Sequence, residues 1–234
     1  MSRREDLNEF YEVLDELRAR LGGYRRLADC HGLMKWPELG VYFFFESGET
    51  REDGLTGRVV RVGTSTRLWE RLRQHRGTLA GQYAGGGSHS GTVFRELIAE
   101  VLGASGNFEQ GSSKWDRRKD APGDRTREHD LEVAVSAHIR AMPFLWLGVN
   151  DPWRKMIEVS AIALLSNFER ESIDAPSPDW LGRTSRSAEV LESGLWNRKD
   201  VSRSWDHDPT FLPMLRSACD AMFPLRSESV RASP

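Results

Sequence analysis

The chain has 234 residues, 38% hydrophobic and 29% charged, with a formal net charge of −2. A chain of this length supports one or two cores, and no apolar run approaches the roughly 18 residues that a membrane span requires. Two cysteines are too few for a disulfide framework or a cysteine zinc site, and the start "MSRREDLNEF" lacks the apolar stretch of a signal peptide, so a cytoplasmic protein is expected.

The N-terminal segment places Leu7, Phe10, Tyr11, Leu14, Leu17 and Leu21 at helical spacing, with Gly22 and Gly23 as a stop. This amphipathic helix is expected to pack on the body of the protein rather than to dimerise. "GVYFFFES" and "GRVVRVG" bracket the turn-rich "GETREDGLT" and predict a hairpin with a long loop. Alternation puts Val41, Phe43 and Phe45 on one face of the first strand and Tyr42, Phe44 and Glu46 on the other. A phenol and a carboxylate on that second face mark either a strand end reaching water or one wall of a site.

The next helix, "TRLWERLRQH", aligns Arg67, Arg71 and His75 on one face beside the apolar edge of Leu68 and Leu72. From Arg58 to Arg76 the chain carries Arg58, Arg61, Arg67, Arg71, Arg73 and Arg76 against the single acid Glu70, so the local field is basic although the molecule is not. Two readings are open: a solvated basic face, or guanidinium and imidazole groups aimed at phosphate oxygens. The following "GTLAGQYAGGGSHSG" reads as a flexible glycine-rich loop. It lacks the lysine of a phosphate-binding P-loop, and its His89 is a candidate DNA contact or simply an exposed side chain.

"TVFRELIAEVLG" predicts another helix, and residues 104–127 an exposed, polar insertion whose Lys114, Arg117, Arg118, Lys119, Arg125 and Arg127 are interleaved with Asp116, Asp120 and Asp124. "EHDLEVAVSAHIRAM" reads as a helix and "PFLWLGV" as a short strand. A strongly apolar helix follows, capped by Asp151 and opened by Pro152. Glu158 leads the apolar stripe of that helix; such a carboxylate is either paired, with Arg154 one turn earlier as partner, or a ligand for magnesium, which needs few protein oxygens. In the remainder, "WDHD" at residues 205–208 is read as a helix start rather than a metal site.

Taken together, "GVY" at Gly40 to Tyr42, "RVG" at Arg61 to Gly63, then Arg71, His75 and the later Glu158 resemble the GIY-YIG nuclease family, over roughly residues 39 to 168. The resemblance implies an α+β fold in which a small three-stranded antiparallel sheet is flanked by helices. It divides the chain into an N-terminal helical extension (1–38), a nuclease core (39–170) and a C-terminal extension packing on it (171–234).

It further implies a metal-dependent endonuclease, plausible in restriction or phage defence, whose Mg²⁺ (or Mn²⁺) is held by Glu158. Tyr42 and His75 would then activate water, with Arg71 on the phosphoryl group. The family's second motif begins with tyrosine, where this chain has Arg61, expected to act as a cation beside the phenol. Double-stranded DNA is the expected substrate, with Arg58, Arg67, Arg73, Arg76 and His89 as contacts and two copies of the chain cutting two strands. The competing class is a nucleic-acid-binding module on the same fold that has lost cleavage; the asparagine with which the family often ends its site finds no clear counterpart in Asn167 or Asn197.

Overall fold

The computed structural model describes residues 2–105, 126, 128–205 and 208–223. Nearly all of the basic insertion, including Lys114, Arg117, Arg118, Lys119, Arg125 and Arg127, and the centre of "WDHD", lie outside the described residues.

Helix α1 (Arg3–Leu21) opens on a reciprocal cap: the Ser2 hydroxyl accepts the Glu5 backbone N–H at 3.3 Å, and the Glu5 carboxylate accepts that of Ser2 at 2.7 Å. It closes at Gly22, whose φ of 75° favours glycine. Strands β1 (Arg25–Arg26), β2 (Gly40–Thr50), β3 (Gly57–Ser65) and β4 (Pro143–Gly148) form one antiparallel sheet in the order β1-β4-β2-β3. The sheet therefore has four strands among the described residues, not the three expected. The fourth is a two-residue edge, Arg25 and Arg26 against Phe144 and Pro143, too short to leave a periodic signal in the sequence. Among the described residues the other α-helices are α2 (Leu68–Arg76), α3 (Val93–Ser105), α4 (His129–Ala141), α5 (Trp153–Leu165), α6 (Ala188–Ser193) and α7 (Phe211–Met222).

Both faces of the sheet are covered. Val41, Phe43 and Phe45 pack with α1, α5 and α7 through Leu7, Phe10, Leu14, Ile157 and Phe211. Tyr42 and Phe44 pack on the opposite face with α2, α3 and α4 through Leu72, Phe94, Leu97 and Val135. The second face of β2, half apolar by sequence, is thus interior: Tyr42 is only 2% exposed. Further along it, the Glu46 carboxylate accepts the indole N–H groups of Trp180 (3.0 Å) and Trp196 (3.1 Å) and faces His138 Nε2 at 3.0 Å. Burial alone would raise its pKa, but His138 and the two indoles outweigh burial and hold it below the usual carboxylate range. The terminal segments are part of this architecture, since α1 and α7 supply much of the first core.

Two local expectations are corrected. Helix α5 begins at Trp153 after Pro152, and the Asp151 carboxylate forms an ion pair with Arg154 at 3.0 Å instead of capping the helix. The glycine-rich loop folds back on itself: Thr78 donates its N–H to Gly86 at 2.7 Å and accepts that of Gly85 at 2.9 Å. It is then anchored to α4 through His89 and Glu132.

Candidate active site

The site is built where β2, β3 and α2 converge. Tyr42 pairs with Gly63, and Phe44 with Arg61, so Arg61 lies diagonal to Tyr42 on the same face rather than directly across from it. A Cβ on Gly63 would stand 2.4 Å from Cζ and Oη of Tyr42, closer than atoms can approach. The glycine of "RVG" therefore gives the ring its path across β3. A register shift between Phe44 and Phe45 leaves Val60 as the extra residue of a bulge, next to Arg61.

The Tyr42 hydroxyl ends 2.9 Å from Nε2 of His75, which is 1% exposed. Behind the imidazole, Nδ1 lies 3.3 Å from Thr92 Oγ1, and Arg95 Nη1 donates to the His75 carbonyl at 2.9 Å. Arg95 is in turn clamped by the Glu132 carboxylate and by Ser136 Oγ at 2.9 Å. Arg61 donates to the Trp196 carbonyl at 2.5 Å and lies over the Phe94 ring at 5.5 Å. Next to it, Asn197 closes the free edge of β3, donating to the Val62 carbonyl at 3.0 Å and accepting its N–H at 3.2 Å. Asn167 is instead engaged with Ile173. Of the two asparagines, Asn197 is the one beside the site.

Burial raises the Tyr42 pKa; Arg61 and Arg71 pull it down without prevailing, and Glu158 adds to the rise. The cation at position 61 therefore does not turn the phenol into a phenolate. Burial, with Arg61, Arg71 and Arg95 around the ring, holds His75 well below the ordinary histidine value. Both partners are neutral at pH 7. Burial also raises the Glu158 carboxyl, with Arg61 opposing and Asp200 acting in the same direction as burial. These mutual influences tie Tyr42, Arg61, Arg71, His75 and Glu158 into one electrostatic neighbourhood.

Arg154, the expected partner of Glu158, directs its hydrogen bonds to Thr64 Oγ1 at 2.7 Å and to Asp151. Among the described residues no group of three or more His, Cys, Asp or Glu side chains is arranged to hold a metal. Glu158 offers a single carboxylate, a donor set that fits a hard cation keeping most of its waters and does not fit zinc.

The expected nucleic-acid contacts divide. Arg67 and Arg73 are exposed, and Arg71 is half-buried with its guanidinium donating to Gln74 at 3.0 Å. Three others belong to the interior. Arg58, 3% exposed, pairs with Glu49 at 2.7 Å and donates to the Gly194 carbonyl at 2.7 Å. Arg76 stacks over Trp69 at 5.0 Å and donates to the Cys30 carbonyl at 2.6 Å. His89 is buried with Nδ1 2.6 Å from Glu132. Arg58 and Arg76 are held by Glu49 and the Cys30 carbonyl, both outside the stretch from Arg58 to Arg76, so the cations of that stretch overstate its exposed charge. The sequence does not mark Thr92 or Trp196 as part of the site and leaves Asn197 unassigned beside Asn167; Thr92 carries only the signal of a hydroxyl just before a helical pattern.

No curated protein and no solved structure matches the chain. The family model of the GIY-YIG domain matches residues 1–224, so the match includes α1 and the C-terminal helices as well as the hairpin and α2. The chain belongs to the GIY-YIG family, within the nuclease superfamily of that name.

Proposed function

We propose that the protein is a metal-dependent endonuclease that hydrolyses phosphodiester bonds in double-stranded DNA. The observation that carries this reading is the buried, neutral Tyr42–His75 pair at 2.9 Å, beside Arg61 and Glu158. Such a pair suits a proton relay. As a water oxygen attacks phosphorus, the water proton passes to Tyr42 Oη while the phenolic proton passes to His75 Nε2, and the bond from phosphorus to the leaving oxygen breaks. Arg71 balances the charge that develops on the phosphoryl oxygens, and Arg61 favours release of the phenolic proton by opposing the rise in the Tyr42 pKa. The Glu158 carboxylate would hold Mg²⁺ or Mn²⁺, which when bound would supply positive charge near the leaving oxygen.

A role in restriction or phage defence, acting in the cytoplasm and with two copies meeting on DNA to cut both strands, is the biological setting that suits this chemistry. No helix among the described residues is long and apolar enough to cross a membrane. The presence of Arg61 where the family carries tyrosine favours a second reading, a module that binds nucleic acid without cutting it.

Incubating the protein and Glu158→Ala with supercoiled plasmid and with phage DNA, in magnesium and in chelator, separates the two. Magnesium-dependent nicks or fragments that the variant fails to produce support the nuclease. Retained binding with no cleavage of either DNA overturns it in favour of the binding module.

A further inference from the structure

We propose that Thr92 is a positioning residue that fixes His75 in its Nδ1–H tautomer, so that Nε2 presents a lone pair to the Tyr42 hydroxyl. The argument starts from the hydroxyl proton. Tyr42 is buried, only 2% exposed, and its hydroxyl faces the His75 ring. A buried hydroxyl proton needs an acceptor, and the acceptor the structure places within reach is His75 Nε2 at 2.9 Å. A neutral imidazole carries one N–H. If Nε2 accepts, Nδ1 carries the proton and needs an acceptor of its own.

Thr92 Oγ1 lies 3.3 Å from Nδ1. It stands immediately before α3 and also accepts the Arg95 backbone N–H at 3.2 Å. The oxygen has two lone pairs, one for each N–H. Of the two hydroxyls beside the ring, the phenol is the stronger acid and the closer, at 2.9 Å against 3.3 Å, so it takes the one acceptor nitrogen. Helix α3 thus fixes the acceptor that fixes the tautomer. Burial, with the guanidinium groups of Arg61, Arg71 and Arg95, keeps the ring uncharged, which is the condition under which a tautomer has meaning. Arg95 adds a second hold, through the His75 carbonyl and the Glu132 and Ser136 side chains.

The catalytic consequence rests on the nuclease reading, whereas the tautomer does not. Long-range ¹H–¹⁵N correlation spectra of the free protein are expected to show a protonated Nδ1 and an unprotonated Nε2 on His75 in the wild type. Thr92→Val, which keeps the shape and removes the acceptor, is expected to move the ring toward the other tautomer, and Thr92→Ser to restore it. In cleavage, Thr92→Val should lower kcat by about tenfold with KM unchanged, the order set by one hydrogen bond between neutral groups.

A wild-type ring protonated at Nε2 overturns the proposal, and this measurement needs no variant to fold. So does a Thr92→Val protein with native melting behaviour and an unchanged tautomer. If no DNA is cut by the wild type, the nuclease reading fails while the spectra still decide the role of Thr92.

Discussion

Tyr42 and Gly63 face one another across β2 and β3, and the tyrosine ring fills the volume that a side chain on residue 63 would occupy. The glycine and the tyrosine of the two strand motifs are therefore one steric unit. Gly63→Ala is expected to displace the ring from His75, to destabilise the fold by about 1–3 kcal/mol as overpacking does, and to abolish cleavage. The check is thermal melting alongside plasmid cleavage. Native Tm with native activity would show that β3 yields at no cost, and the steric link would be lost.

His75 gives a pH dependence whose sign follows from its surroundings. Its folded-state pKa is depressed by burial and by Arg61, Arg71 and Arg95, while the unfolded value is near 6.5. Above about 6.5 the ring is neutral in both states and contributes no slope. As the pH falls below that value the unfolded chain binds a proton that the native ring refuses, so stability drops by up to about 1.4 kcal/mol per pH unit until the folded pKa is reached. His75→Gln is expected to lose less stability than wild type between pH 7 and pH 5, measured by denaturant unfolding. The acid limb of kcat/KM for cleavage should likewise lie below the usual histidine range; a limb centred near 6.5 would show a solvated imidazole.

Much of this site was legible in the sequence, and the parts that were not share a cause. Tyr42, Arg71, His75 and Glu158 sit in strands and helices whose periodicity is strong, so their faces follow from counting. Arg58, Arg76 and His89 sit at positions whose meaning depends on Glu49, the Cys30 carbonyl and Glu132, partners that only the folded chain brings near. The edge of β3 is closed by Trp196 and Asn197, more than 130 positions downstream, through backbone and amide groups that no sequence pattern announces. The two-residue β1 was missed for the same reason, being defined by pairing alone.

Arg58 and the exposed arginines therefore separate in experiment. Arg58→Ala leaves Glu49 buried without its cation and is expected to cost about 3–5 kcal/mol of stability, with its effect on DNA affinity following only from unfolding. Arg67→Ala and Arg73→Ala should leave the Tm within about 1–2 °C, as exposed side chains do, and each phosphate contact they lose should reduce the slope of log affinity against log salt by about 0.9. Salt titrations of binding in chelator provide the measurement. An unchanged slope in the double variant would remove this flank of α2 from the nucleic-acid interface.

Glu158 places stability and chemistry in opposition. Its carboxyl pKa is raised in the folded protein, chiefly by burial, so ionisation is harder there than in the unfolded chain. For a carboxyl group raised in this way, the folded state is disfavoured once the pH exceeds the unfolded pKa, and the penalty is complete above the folded one. Glu158→Gln keeps the shape and removes the charge, so at pH 7 it is expected to raise the Tm slightly, by about 1–3 °C, in metal-free buffer. The same change removes the carboxylate proposed to bind the cation, so magnesium-dependent cleavage should vanish while DNA binding in chelator persists. Adding magnesium should stabilise the wild type and not the variant, because a ligand that binds only the native state raises its apparent stability by mass action. A variant that melts lower than wild type in metal-free buffer would mean that the ionised carboxylate is held by favourable contacts, and that its place at the head of the apolar stripe is structural. Equal responses of both proteins to magnesium would move the cation away from α5 altogether.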